Sequence, residues 1–518
     1  MKFHSFPLLW LPLLLSCSFT GKWGEPPGSG VRQAAFAGQF YPSDPARLRL
    51  AIEKFMEEAR PALGGQPVAI LAPHAGYLYA GPLIADAYSQ VKSQAVDTVM
   101  ILGTNHGRNM AGARLTGVSV YAGGAYRTPL GEAPVDAALA RELMAADSDC
   151  SSQPEAQAAE HSIEVQVPFI QVLFPQARIL PLMIGRPDPA LCERLGKAIA
   201  RISRGRSVLL VASADLSHFP RYEDAAAADL DLLDSIVPLS PDRFLLQIRS
   251  RMSRGTPGID TCTCGEGPIL AAMAAARAMG AERAAAVSYA NSGDIVAEDR
   301  SRVVGYGSAV FLRGGTPAGN GLRQARKVSG APGPLTAGDK EALLRLARKS
   351  LQRFLSTDTV PLARDLSDRL KVPQGAFVTL HQKGRLRGCI GRLGGDFPLA
   401  LAVSWMAVQA GTADSRFAPV TLQELDSLEI EISAMTPMQP IARASEIVVG
   451  KDGVVLRKAG RSAVFLPQVA TEQGWGLTEL LDNLSLKAGL PRDAWRSGAR
   501  FQVFQAEVFG EARSGRKP

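Results

Sequence analysis

Four short, unbroken apolar runs, each ending in turn-forming residues, restrict the fold of this chain more than any other feature: 67–72 (PVAILA), 98–103 (TVMILG), 207–212 (SVLLVA) and 284–289 (AAAVSY). Runs of this length without alternation suit strands buried on both faces of a parallel or mixed sheet. Between and around them lie helix candidates at 45–60, 135–145, 190–202, 223–236 and 268–279. The alternation predicts an α/β domain, a sheet with flanking helices.

The chain has 518 residues, too many for one ordinary core. The stretch 313–335 (RGGTPAGNGLRQARKVSGAPGPL) has no apolar periodicity and reads as a linker. The expected division is an N-terminal segment and spacer at 1–30, a first domain at 31–313, a linker at 314–334 and a second domain at 335–513. The second domain opens with a helix at 337–354, then a hairpin, a helix near 399–411, further strands and a terminal helix-and-strand segment. That mixture predicts α+β.

A hydrophobic content of 46% and a charged content of 20% are those of a globular protein. The formal charge of +8 would admit acidic partners, yet Lys and Arg are scattered and form no stripe, which argues against nucleic acid. Lys2 precedes an apolar run at 6–15, shorter than the ~20 residues that span a bilayer but suited to a signal-peptide core. Leu14-Leu15-Ser16-Cys17 is similar to a bacterial lipoprotein cleavage box, with Cys17 as the lipidated residue. The expectation is an exported protein, periplasmic or lipid-anchored, touching membrane only through Cys17. The alternative is a cytoplasmic protein with an over-extended start. The other cysteines, Cys150, Cys192, Cys262, Cys264 and Cys389, have no disulfide-scaffold spacing.

The unusual residues fall where the strands end. His74 follows the first run, His106 the second, and Asp215 with His218 the third. Loops leaving the carboxyl ends of parallel strands converge on one sheet edge, where ligands bind. A Cys262/Cys264 pair precedes an apolar helix, and a thiol near a helix N-terminus is stabilised as thiolate. Both cysteines could face one way on an extended segment, so either could be the ligand. One thiolate with two imidazoles suits iron, copper or zinc and leaves a coordination position open. His161 and Glu164, three residues apart at a probable helix start, form a candidate acid/base or supporting pair.

The segments APHAGY, LGTNH, EHSIE, SADLSH, CGEGPI and YANSGD resemble the Memo family over about 32–312. That resemblance implies a fold similar to class III extradiol dioxygenases, with metal held by His74, His106 and Cys264. It places Asp215 and His218 as nearby polar residues and selects Cys264 over Cys262. Dioxygenases carry a carboxylate where Cys264 stands, which argues against dioxygenase chemistry itself; the expected activity is metal-dependent redox chemistry on an unknown small molecule or peptide. The alternative is a non-catalytic metal- or peptide-binding scaffold that uses a degenerate pocket.

In the second domain, VTLHQKGRLRGCI (378–390) reads as a hairpin turning at Lys383-Gly384. Unbroken pairing puts Val378 opposite Cys389 and His381 opposite Leu386. Cys389 then shares the face of Leu380, away from His381. Arg387, Cys389, Asp414 and Arg416 are the candidate site residues there, and the glycines around Cys389 suggest close approach of a backbone or ligand. LRGCIG and DSRF, with KAGLPRDAW, resemble the AMMECR family over about 335–510. The paired resemblances imply an AmmeMemoRadiSam system, in which a radical SAM protein is the expected partner.

Overall fold

The computed structural model describes residues 30–107, 115–314, 322, 333–364 and 366–511. The signal-like segment and the linker lie almost wholly outside the described residues. Among those described, no helix is long and apolar enough to cross a membrane.

Two units of helices and sheets form, a mixed sheet built on the expected runs in the first and antiparallel sheets in the second. In the first, Gln66–Ala72, Val208–Ser213, Thr98–Thr104 and Arg178–Ile184 lie side by side and parallel. Gly305–Arg313 and Arg283–Asn291 extend one side of this sheet antiparallel. Val118–Val120 and Cys150–Ser152 complete the other side of an eight-stranded sheet. Four of these strands match the four apolar runs. Arg178–Ile184 and Gly305–Arg313 were not anticipated.

The five expected helices form within three residues of their expected ends. Asp44, Asp136 and Asp188 cap three of them through their side chains, which supply partners for first-turn N–H groups. Tyr77–Ser89 was missed because it is buried on nearly every side and carries Pro82 inside. Such a helix has no polar face, so its sequence shows no helical period.

The second unit has two four-stranded sheets. Ala376–Gln382 and Arg385–Arg392 form the hairpin, and Lys383 and Gly384 turn it at φ of 51° and 74°. Leu399–Thr412 and Ala337–Thr357 cover one face of its sheet. Ala376, Val378 and Leu380 point into that layer.

The two units share a seam. The Pro45–Glu57 helix packs on Ala337–Thr357, and one apolar cluster runs from Phe55 and Tyr88 into Leu343 and Leu351. Arg364 grips the fully buried Asp86 with two bonds of 2.9 and 2.5 Å. Arg353 pairs with Glu58 at 2.8 Å and lies over the Phe55 ring.

Candidate metal centre

His74, His106, Asp215 and His218 all leave the same edge of the first sheet, just past the carboxyl ends of three parallel strands. The backbone N–H groups of His74 and Ala75 donate to Asp215 Oδ1 at 2.7 and 3.3 Å, which locks two of these loops together. His74 is buried, with Nδ1 on Ser213 Oγ at 3.1 Å and Nε2 at 3.1 Å from Cys264 Sγ. Burial lowers its affinity for a proton, and neighbouring His106, His161 and His218 lower it further. Its Nε2 lone pair is therefore available to a metal.

Cys264 stands before the Glu266–Ala278 helix, pressed against the Ser213–Asp215 turn. A Cβ on the next residue, Gly265, would lie 2.0 Å from the Ala214 Cβ, so only glycine permits this approach. The sequence predicts a thiolate favoured by the helix N-terminus, and the structure corrects this. Burial, with Asp215 and Glu160 nearby, pushes the Cys264 thiol well above its ordinary pKa. A bound cation reverses that preference by displacing the proton. Cys262 is buried elsewhere, its thiol turned to Ile248 O.

His106 is held by Glu160, whose Oε2 accepts from its backbone N–H at 2.8 Å and whose Oε1 lies 3.0 Å from its Nδ1. Oε1 also accepts from the Ser162 N–H at 2.7 Å and caps the short His161–Glu164 helix. Burial opposes the charge on Glu160. The His106 bond and the nearby histidines outweigh it and hold the carboxyl at about 2. Reciprocally, Glu160 raises the proton affinity of His106 against the effect of burial. With Nδ1 so tied, Nε2 is the nitrogen left for a metal, as in carboxylate–histidine–metal triads.

One ligand atom each from His74, His106 and Cys264 lies within 4.8 Å of the others. His106, Glu160 and His161 form a second group that meets the same distance. Glu160 is already engaged with His106 there, so we read it as orienting that ring. Two imidazoles and a thiol of this spacing fit a borderline transition metal and not magnesium or calcium.

The remaining candidates divide. His161 stacks on His106 with ring centroids 4.4 Å apart and meets His74 edge-on at 5.3 Å. Phe36 and Phe40 wall it at 5.5 and 4.7 Å, and burial lowers its pKa to about 4. His218 reaches the same cluster, with a buried Nε2 that has no hydrogen-bond partner and a pKa lowered by burial to about 4. Burial pushes the Asp215 carboxyl up to about 6.

Glu164 does not join the cluster. It is fully buried against Arg32 at 2.6 Å and accepts from Tyr41 and from the Ala35 and Phe36 N–H groups. The expected His161–Glu164 pairing gives way to Glu160, one residue before the histidine. Glu164 instead anchors the segment that carries Phe36 and Phe40. Glu160 and Ser213 were not singled out from the sequence; the capping position of Glu160 is the signal that could have found it.

In the second unit the hairpin contains a bulge between Leu380 and His381, so Cys389 pairs with Thr379 and not Val378. Cys389 therefore lies on the face of Thr379 and His381, a reversal of the expected orientation. His381 does face Leu386. Thr379 Oγ1 lies 3.3 Å from Cys389 Sγ, and Asp414 accepts the Cys389 N–H at 2.9 Å. Arg416 binds Asp414 at 2.6 Å and the Cys389 carbonyl at 3.2 Å. Arg387 is occupied by Glu424 at 2.9 Å and the Ala418 carbonyl at 2.8 Å. The glycines meet protein: a Cβ at Gly388 or Gly391 would lie 2.1 Å from the Ala410 carbonyl oxygen or the Phe377 ring.

Comparison with known proteins places these two units. A MEMO1 family protein of Methanopyrus kandleri is 36% identical over 298 residues, covering 55% of this chain and 99% of the relative. One from Methanothermobacter thermautotrophicus is 35% identical over 286 residues, covering 53% and 98%. The crystal structure of an uncharacterized protein from Pyrococcus horikoshii is 37% identical and covers 33% of this chain and 91% of that one. The TM-score of that match is 0.31. Residues 32–310 match the Memo-like protein family and 344–509 match AMMECR1, so the chain belongs to the Memo-like family and carries an AMMECR1 domain in its second half.

Proposed function

We propose that the first domain holds one transition-metal ion, iron or copper with zinc as a competitor, and serves as a metal-dependent redox site. The observation that carries this reading is the triad of donor atoms from His74, His106 and Cys264 within 4.8 Å of one another. Each histidine has its other nitrogen already engaged, by Ser213 or by Glu160. When bound, such an ion supplies electron exchange and polarises an oxygen or nitrogen of the substrate. Three protein donors leave a position for that atom.

The chain's own residues supply the rest. Asp215, with a carboxyl near 6, exchanges a proton close to neutral pH. His218 stays neutral there and offers Nε2 to a substrate proton or oxygen. His161, backed by Phe36 and Phe40, forms an aromatic wall that excludes water from one side. The sheet-edge position supports the likeness to class III extradiol dioxygenases, whereas a cysteine in place of their carboxylate speaks against ring cleavage.

Metal analysis of the purified chain, with His74→Ala and Cys264→Ser beside it, tests the reading. About one equivalent of iron or copper is expected in the parent and a large loss in both variants. A parent with no transition metal, or variants that retain it, overturns the proposal. Stoichiometric metal with no turnover of any reductant would favour the binding-scaffold alternative. Export with lipid on Cys17 is part of the same reading, and a wholly cytoplasmic tagged pool overturns it. In that case co-purification with a radical SAM protein becomes the expected result.

A further inference from the structure

His218 sits on a segment whose other neighbours lead away from the metal cluster and across the seam. Its N–H donates to Thr261 O at 3.0 Å, and the residue is bridged to Val304. Phe219 N–H donates to Val303 O at 2.7 Å, Tyr222 N–H to Arg300 O at 3.0 Å and Gly305 N–H to Ser217 O at 2.8 Å. Residues 216–222 are thus stitched along 300–305. The loop 292–304 joins two antiparallel strands of the main sheet. The second of these places Ala309 opposite Leu71, so its start at Gly305 lies at the His74 edge.

The second domain grips the outer side of that loop. The Arg300 guanidinium lies 3.8 Å from the ring centroid of Tyr222 and 4.9 Å from that of Phe397. Arg392 lies over Phe397 at 4.2 Å. Tyr222, Arg300, Phe397 and Arg392 therefore form a ladder of alternating rings and cations that crosses from one domain into the other. Arg300 also donates to Asp396 O at 3.2 Å and Arg392 to Ala297 O, so both cations tie loop to domain. Glu298, in the same loop, is bonded by Trp405.

We propose that docking of the AMMECR1 domain positions His218 at the metal-binding cluster, through the Tyr222–Arg300–Phe397–Arg392 ladder acting on the 292–304 loop. Phe397 and Arg392 are positioning residues, remote from the cluster itself. The proposal rests on the metal-centre reading only for what His218 does there; the mechanical link stands on its own contacts. It assigns the second domain a role in the first domain's chemistry.

The test uses the full chain and three variants. Phe397→Leu keeps apolar volume and removes the ring, Arg392→Gln removes the cation, and Arg392→Lys keeps a cation over the ring. Amide exchange is followed by mass spectrometry at 216–222, 292–304 and, as a control, 66–72. The His218 imidazole resonance is followed beside that of His381, with bound metal measured in the same samples. Losing one ring–cation contact should speed exchange at 292–304 and 216–222 by about five- to thirtyfold and leave 66–72 unchanged. The His218 resonance should move in Phe397→Leu and Arg392→Gln, and stay in place in Arg392→Lys. Faster exchange at 292–304 with 216–222 and His218 unmoved overturns the proposal, as does no change anywhere in Arg392→Gln. A parent chain without metal fails the metal reading alone, and metal at full occupancy with an unmoved His218 fails this one alone.

Discussion

Replacing Glu160 with glutamine tests how the metal centre is held, because three N–H donors converge on that one carboxylate. The His106 N–H, the His106 Nδ1 and the Ser162 N–H approach its two oxygens at 2.8, 3.0 and 2.7 Å. A glutamine side chain has one carbonyl oxygen and one amide NH2 group. If the oxygen stays with His106 Nδ1 and Ser162, the NH2 faces the His106 backbone N–H, donor against donor. If the amide flips, two donors lose their acceptor. Either way a donor is left unpaired, the part-buried His106 N–H or the buried Ser162 N–H, which costs up to roughly 1–3 kcal/mol of stability. The variant also removes the negative charge that orients the imidazole, and such partners of metal-bound histidines are worth about 10- to 100-fold in metal affinity. Competition against a chromophoric chelator at fixed pH measures the affinity, and thermal unfolding of the metal-free protein measures the stability. A Glu160→Gln protein that folds and holds metal within about threefold of the parent would refute the assignment, since orienting partners rarely contribute so little. So would a larger loss in Glu164→Gln at equal stability, because Glu164 does not face the cluster.

Three further outcomes follow from other contacts. Gly265→Ala should lower metal affinity without removing a ligand, because the new Cβ must displace the Ala214–Asp215 turn or carry Cys264 away from His74; chelator competition reads the loss, and an unchanged affinity contradicts the close-approach argument. Arg364→Met leaves Asp86 buried without its cation, at a cost of about 3–5 kcal/mol, and Asp86→Asn in addition should recover part of the lost thermal stability. Acid below about pH 4 should weaken the second domain. Hydrogen bonds from Arg416 and Arg387 hold Asp414 and Glu424 at about 2, and hydroxyls of Thr336 and Ser367 with Arg369 hold Asp339 there against burial. Groups depressed in this way add stability above their unfolded pKa of about 4, and that stability is lost as pH falls from 4 toward 2. Fluorescence of Trp405, Trp475 and Trp495 in urea follows it, and a midpoint constant over that window would contradict the assignment.

Where a residue's place follows from the sheet itself, the sequence was enough to group it with its neighbours. Strands need continuous apolar runs, and an α/β sheet sends the loops after them to one edge, so His74, His106, Asp215 and His218 were legible as a group. What escaped depended on contacts distant in sequence. Tyr77–Ser89 carries no period because protein surrounds it. Glu160 and Glu164 differ by four residues and look equivalent on a helix start. Only the packing of residues 32–41 shows that Glu164 is already taken by Arg32 and Tyr41. The proton affinity of the metal-free Cys264 thiol runs against the helix-end expectation for a related reason. Helix-end effects are worth about 1 kcal/mol or less at exposed sites, and desolvation of the thiol, with Asp215 beside it, overrides them.

The same limit governs the second domain, where one extra residue decides which side chains meet. Period-two counting from Lys383-Gly384 is sound until a bulge intervenes, and past it every residue changes face. The bulge has a visible cause. Gly388 comes so close to the Ala410 carbonyl that a Cβ would sit 2.1 Å from its oxygen, and Asp414 then captures the Cys389 N–H at 2.9 Å. Strand and helix C-terminus are thus pinned together, and the residue inserted before Gly388 lets Cys389 face Thr379. Gly388→Ala should force these elements apart, at an overpacking cost of about 1–3 kcal/mol or more. It should also uncouple Asp414 from Cys389 and leave the metal content of the first domain untouched. Urea unfolding followed by tryptophan fluorescence, with metal analysis of the same preparation, separates the two effects. A Gly388→Ala protein of parental stability would mean that the close approach does not hold the bulge, and the placement of Cys389 beside Thr379 would lose its physical basis.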